Sequence, residues 1–146
     1  FPSLGRAAEK ATSTTESLQQ RNLRMQWWRE ARFGMFVHWG LYSGLAGTWE
    51  GKPVATKGGM EWIQQRVKAD TETYAKYAIP LFQPKADFAS QWAQMAKNAG
   101  CRYLVFTTKH LDGFALHDSK VSDFDAGSVL NRDLVREIVD ACQKEG

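Results

Sequence analysis

YLVFTTKHLDGF, Tyr103 to Phe114, is the stretch whose reading decides the fold. It opens apolar, with β-branched and aromatic side chains, and turns polar at Lys109, His110 and Asp112 before Gly113 supplies a turn. A strand buried on both faces has this composition, and α/β proteins gather their ligand sites at the carboxyl ends of such parallel strands. Polar groups at that end stand on rigid backbone and face a cleft. A strand followed by an ordinary solvated turn reads the same way, so a second strand with the same ending carries the decision.

That second strand lies upstream, in RFGMFVHWG, Arg32 to Gly40. Phe33, Met35, Phe36 and Val37 predict a short apolar strand, with His38 and Trp39 at its carboxyl end. Phe36 and His38 are two apart and so point to one side, placing an apolar ring and a hydrogen-bonding ring before the same pocket. A single histidine near an apolar run is usually a satisfied core residue. Two of the chain's three histidines at matching strand ends argue for a site.

The segments between fit this plan. Leu18 to Arg32 predicts a helix with Leu18, Met25, Trp28 and Ala31 on one face. Leu41 to Gly59 is rich in glycine, the chemistry of a long loop at a binding surface. Met60 to Val67 predicts a short helix that sets Glu61 beside Trp62, and Thr73 to Ile79 continues helical until Pro80 and Pro84 break it. Ala86 to Ala99 is the clearest helix, capped by Asp87, with Phe88, Trp92, Met95 and Ala99 at helical spacing and Gly100 as its stop. A loop from His117 to Asn131 follows the second strand. Leu134, Val135, Ile138, Val139 and Cys142 then mark a last amphipathic helix. Strand, loop, helix, repeated twice, is the alternation of a parallel α/β protein. Two strands are too few for such a sheet, so the residues read as the N-terminal portion of a larger fold.

Composition excludes several classes. The chain has 146 residues, 43% hydrophobic and 24% charged, with 19 basic and 16 acidic side chains spread along it. No basic run offers an electrostatic footprint for nucleic acid, and no apolar stretch approaches the length of a membrane span. Cys101 and Cys142 form neither a C-x-x-C pair nor a zinc cluster and read as buried free thiols, which leaves the redox compartment open. The first residue is Phe1, so a processed or cropped product is expected, with export the easiest explanation. H-W-G and K-H-L-D lack the ligand spacing of a metal-dependent hydrolase, and no metal or other cofactor is expected. There is no dinucleotide or P-loop glycine pattern and no G-x-S-x-G elbow. The remaining chemistry, neutral histidines, a glutamate and six tryptophans, suits a hydroxyl-rich ligand, because imidazole both donates and accepts while flat rings cover C–H surface.

RFGMFVHWGLYS, MEWIQQRV and the block FQPKADFASQWAQMAKNAGCRYLVFTTKHLDGFALHDSKVSDFD, followed by NRDLVREIVDACQKEG, closely resemble the α-L-fucosidases of glycoside hydrolase family 29. The resemblance runs in chain order from about Gln26 to Gly146. It implies an α/β fold, the N-terminal portion of a (β/α)8-like barrel incomplete in this chain. Residues 1–17 would be a mobile leader and 18–146 the first part of the catalytic domain, ending before the third strand. It implies hydrolysis of terminal α-L-fucose from glycans with retention, without metal, in a secreted or periplasmic protein; oligomeric state is left open. Position by position, His38, Glu61 and His110 match residues that hydrogen-bond the fucose hydroxyls. Phe36 matches an aromatic near the sugar's methyl group, and Trp62 lines the same pocket. The family's nucleophile and acid/base lie on later strands, so no catalytic residue is expected among residues 1–146, which alone should be inactive. Asp112, Asp118 and Asp123 read as turn and cap carboxylates. One position departs from the pattern: the family has two histidines where this chain has His110 and Leu111. Two other readings stay open, a non-catalytic sugar-binding relative and a barrel hydrolase for another deoxy sugar.

Overall fold

The computed structural model describes residues 16–54 and 58–146, so the leader expected over residues 1–17 lies almost wholly outside the described residues. The chain divides into two units after Arg32.

The first unit carries α1 (Leu18–Arg24) and α2 (Gln26–Ala31). Ser17 starts α1 with a capping box, its hydroxyl accepting from the Gln20 N–H at 3.2 Å while Gln20 accepts from the Ser17 N–H at 2.9 Å. The single helix expected from Leu18 to Arg32 is broken at Met25 (φ −95°, ψ 0°). Neither piece holds a buried residue, so no packing favours one straight helix over two short ones. At the break Arg29 donates to the Asn22 carbonyl at 3.5 Å and to its Oδ1 at 3.0 Å.

The second unit begins with β1 (Met35–Val37), α3 (Leu41–Leu45), and a small hairpin of β2 (Thr48–Trp49) and β3 (Lys52–Pro53). A 3-10 turn (Met60–Trp62) leads into α4 (Ile63–Val67), and α5 (Thr71–Ala78) ends in a second 3-10 turn (Ile79–Leu81). Then come α6 (Phe88–Asn98), β4 (Leu104–Phe106), α7 (Ala126–Leu130) and α8 (Leu134–Glu145). β1 and β4 pair in parallel with Met35, Phe36 and Val37 opposite Leu104, Val105 and Phe106. This is the α/β alternation that the two strand endings predict. Gly34 makes the close approach possible, because a Cβ there would collide with the Tyr103 ring.

Four further expectations need correction. Neither strand is buried on both faces: the register partners Phe36 and Val105 are 65% and 40% exposed. Only the opposite face, with Leu104 and Phe106, packs against the core. Trp39 belongs to that covered side, its ring 4.9 Å from those of Phe88 and Trp92 and 5.1 Å from Phe82. Second, Met95 of α6 and Ala99 just past its end are exposed. Its buried stripe runs instead through Phe88, Ala89, Ala93 and Ala96, and the three alanines are small enough to let α8 approach closely. Third, Asp87 does not cap α6. Its backbone lies near φ −104°, ψ 9°, outside the extended conformation of a capping residue, and its carboxylate accepts from Gln91 Nε2 at 2.6 Å. Fourth, both expected loops hold regular structure: Leu41 to Gly59 contains α3 and the β2–β3 hairpin, and His117 to Asn131 contains α7, capped by Asp125. Gly100 does end α6: at φ 78° its N–H donates to the Lys97 carbonyl, and the Cys101 N–H donates to that of Ala96.

Candidate functional site

The carboxyl ends of β1 and β4 are pinned together by Thr107, whose N–H and hydroxyl both donate to the Val37 carbonyl at 3.1 Å. This clamp fixes the starting points of the two polar endings. After it the β4 segment folds into a narrow loop, Lys109 bridging to Ala115 and the Leu116 N–H donating to the Thr108 carbonyl at 2.8 Å. At the tip the Gly113 N–H donates to the His110 carbonyl at 3.0 Å, and Gly113 takes φ 82°, where a side chain would be strained. Asp112 closes the turn by accepting the Phe114 N–H at 3.1 Å. Leu111 is left at the tip, 44% exposed.

This geometry brings His38 and His110 together, their ring centroids 4.7 Å apart. Phe36 lies on the same side, 5.9 Å from His38, as the two-residue spacing predicts. The two histidines share a third neighbour that the sequence did not single out. Tyr42, in the first turn of α3, stands edge-on to both imidazoles, 6.0 Å from His38 and 5.6 Å from His110. Gly40 permits this, since a Cβ there would meet the Tyr42 ring at 2.7 Å. Tyr42 is only 4% exposed, and its hydroxyl, like His110 Nδ1, is buried without a hydrogen-bond partner.

Beneath this cluster lies Asp112, read from sequence as an ordinary turn carboxylate. It is that, and more: it is 4% exposed and also accepts from the Tyr74 hydroxyl of α5 at 3.3 Å. Burial pushes its carboxyl above the usual range, although the Phe114 N–H, the Tyr74 hydroxyl and the nearby His110 oppose the shift. The same desolvation raises the Tyr42 hydroxyl, helped by the negative charges of Asp112 and Glu61. The only sequence hint of Tyr42 is its place two residues after Gly40 in HWGLY, which says nothing of its burial.

Glu61 sits in the 3-10 turn that packs against α3, near enough to Tyr42 for its charge to be felt there. Its carboxylate folds back over Gly59, where any Cβ would strike it. Trp62 follows and is 40% exposed. The structure therefore joins Phe36, His38 and His110 directly and sets Glu61 on the Tyr42 side of the cluster. Asp118 pairs with Lys120 at the surface, and Cys101 and Cys142 are free thiols. Among the described residues no group of three or more His, Cys, Asp or Glu side chains could hold a metal ion, and no helix is long and apolar enough to cross a membrane.

A profile of the α-L-fucosidase family matches residues 3–146, nearly the whole chain. The chain belongs to the α-L-fucosidase family. The mouse tissue α-L-fucosidase is 35% identical over 94% of this chain, which corresponds to 31% of the mouse protein. Among solved structures, α-L-fucosidase AlfC of Lactobacillus casei in complex with its α-L-fucose product superposes with a TM-score of 0.75 at 39% identity, covering 84% of this chain and 38% of that one. A family 29 α-L-fucosidase from Bacteroides thetaiotaomicron, trapped as a covalent intermediate with 2-fluoro-fucosyl fluoride, gives 0.75 at 37% identity over 84% of this chain and 28% of its own. The chain thus spans about three-tenths of the length of the curated fucosidases it matches.

Proposed function

We propose that these residues form the N-terminal part of a retaining α-L-fucosidase that removes terminal α-L-fucose from glycans. The observation that carries the reading is the convergence of His38 and His110 at the carboxyl ends of two in-register parallel strands. Imidazoles so placed are suited to hydrogen-bonding adjacent hydroxyls of one sugar ring, while Phe36 offers an apolar ring to its methyl group. Glu61 is assigned a further hydroxyl and Trp62 a wall of the same pocket. The fucosidase relatives, one holding fucose and one a trapped covalent intermediate, support both the sugar and retention.

The fold proposed for the whole protein is a (β/α)8 barrel, with residues 18–146 as its first part. β1 and β4 each pair on one side only among the described residues, and the open face of Phe36 and Val105 is the kind that further strands would cover. The catalytic carboxylates are assigned outside residues 1–146. A retaining glycosidase needs two carboxyl groups roughly 5 to 5.5 Å apart across the scissile bond. Asp112 is a poor candidate, being buried and already engaged by Tyr74 and the Phe114 N–H. Action on glycoconjugates outside the cytosol, by a secreted or periplasmic protein, belongs to the same proposal.

The test is hydrolysis of an aryl α-L-fucoside by the full-length protein, followed by NMR of the first-formed anomer. Release of α-L-fucose supports the reading. Binding of fucose with no turnover would replace it with a sugar-binding relative, and preference for another deoxy sugar would reassign the pocket.

A further inference from the structure

We infer that Tyr42 is a positioning residue for His110, donating its hydroxyl to Nδ1, directly after a small ring adjustment or through one buried water, and so fixing the imidazole proton on Nε2. The inference begins from two orphaned atoms. Among the described residues, the Tyr42 hydroxyl and His110 Nδ1 are the buried side-chain polar atoms without a partner, and they belong to rings that meet edge-on at 5.6 Å. A buried polar group left unpaired is destabilising, so each needs a partner. A single hydrogen bond, or one water between them, satisfies both.

The direction of that bond follows from chemistry. A phenol in this environment stays protonated, since burial and the charges of Asp112 and Glu61 all oppose its ionisation. It must then donate. The nearby carboxylate of Asp112 already accepts from Tyr74 and from the Phe114 N–H, whereas Nδ1 accepts from nothing. With Nδ1 as acceptor, the neutral imidazole carries its proton on Nε2, the nitrogen left to face the cleft. His110 then reaches a ligand oxygen as a donor with its tautomer set before binding, in the way that second partners orient metal-bound or catalytic imidazoles. Tyr42 touches the other histidine as well, so loss of its ring would disturb both, and only removal of the hydroxyl isolates the effect.

The functional consequence rests on the fucosidase reading, but the tautomer does not, and the experiment separates them. The full-length protein is labelled with 15N-histidine, and the His110 resonances are identified by their disappearance in His110→Asn. In the unsubstituted protein the shifts should show the Nε2–H form. A dominant Nδ1–H form there overturns the inference whatever any variant does. In Tyr42→Phe the preference should weaken and kcat/KM should fall about tenfold, the scale of one orienting hydrogen bond. On a His110→Ala background the same change should cost less than about twofold, because a residue acting through His110 has nothing left to position. Unchanged His110 shifts in Tyr42→Phe, or a full tenfold loss on both backgrounds, overturns it. Shifts that respond in a protein inactive on fucosides sustain the tautomer assignment and remove the fucosidase reading instead.

Discussion

The Tyr74 hydroxyl donates to Asp112 Oδ2 at 3.3 Å, tying α5 to the turn that follows His110 across 38 positions of sequence. Both groups are buried, so the bond anchors the turn to the interior of the fold. Tyr74→Phe removes the donor and leaves Asp112 with the Phe114 N–H as its remaining protein hydrogen bond. The expected loss is about 1–3 kcal/mol of unfolding free energy in the full-length protein, read from urea melts. A change below about 0.5 kcal/mol would show that the carboxylate finds an equivalent donor.

Asp112 also sets a pH dependence. Its carboxyl is raised in the folded protein, chiefly by burial, above the ordinary value of 3.8 that the unfolded chain keeps. Between those two values the folded state holds a proton that the unfolded state has released. By linkage, stability from this group therefore falls as pH rises through that window and is level above it. Asp112→Asn has no such titration. The difference in Tm between the parent and Asp112→Asn should shift in the parent's favour as pH is lowered from neutrality toward 4. A difference that stays flat, or moves the other way, means Asp112 ionises in the fold as readily as in the unfolded chain.

Asp125 makes a different kind of support. It is fully buried at the start of α7, accepting the Ser128 N–H at 3.0 Å and the Ser128 hydroxyl at 2.9 Å. Asp125→Ala strips a helix cap and removes the acceptor of both Ser128 donors, which lie on an exposed residue. The expected cost is about 1–2 kcal/mol, the scale of a lost helix cap. Asp125→Asn should recover at least half of it in the same melts, since an amide oxygen can still accept.

What was legible in the sequence was the part carried by local pattern. Apolar runs ending in histidine and glycine gave both strands and the meeting of His38 with His110, because a parallel register translates matching endings into neighbouring positions. The helix faces were less readable. α6 was expected to bury Met95, yet alanines face α8, since close helix packing rewards small residues over large ones. Asp112 and Tyr42 were missed for a related reason. A buried carboxylate in a turn looks like any other turn aspartate until a distant tyrosine, here Tyr74, is known to reach it. Burial of such groups is a property of the assembled fold, and no residue spacing announces it.

The last prediction turns on Leu111, the position at which the family resemblance implies a second histidine. Strand geometry would point consecutive side chains to opposite faces, but the chain has already left it: Gly113 donates back to the His110 carbonyl, and Leu111 stands exposed at the tip beside His110. On the proposed reading, a side chain there reaches the sugar that His110 binds. Leu111→His adds a hydrogen-bonding ring in place of an apolar wall, so kcat/KM on simple α-L-fucosides should rise, by no more than about tenfold if one ordinary hydrogen bond is gained. Discrimination against the matching deoxy sugar should increase with it, because a site that bonds a hydroxyl rejects its absence far more strongly than an apolar wall does. The assay compares the fucoside with its deoxy analogues in both proteins. If every ratio is unchanged, Leu111 points away from the sugar, and the neighbouring hydroxyl is held by another group.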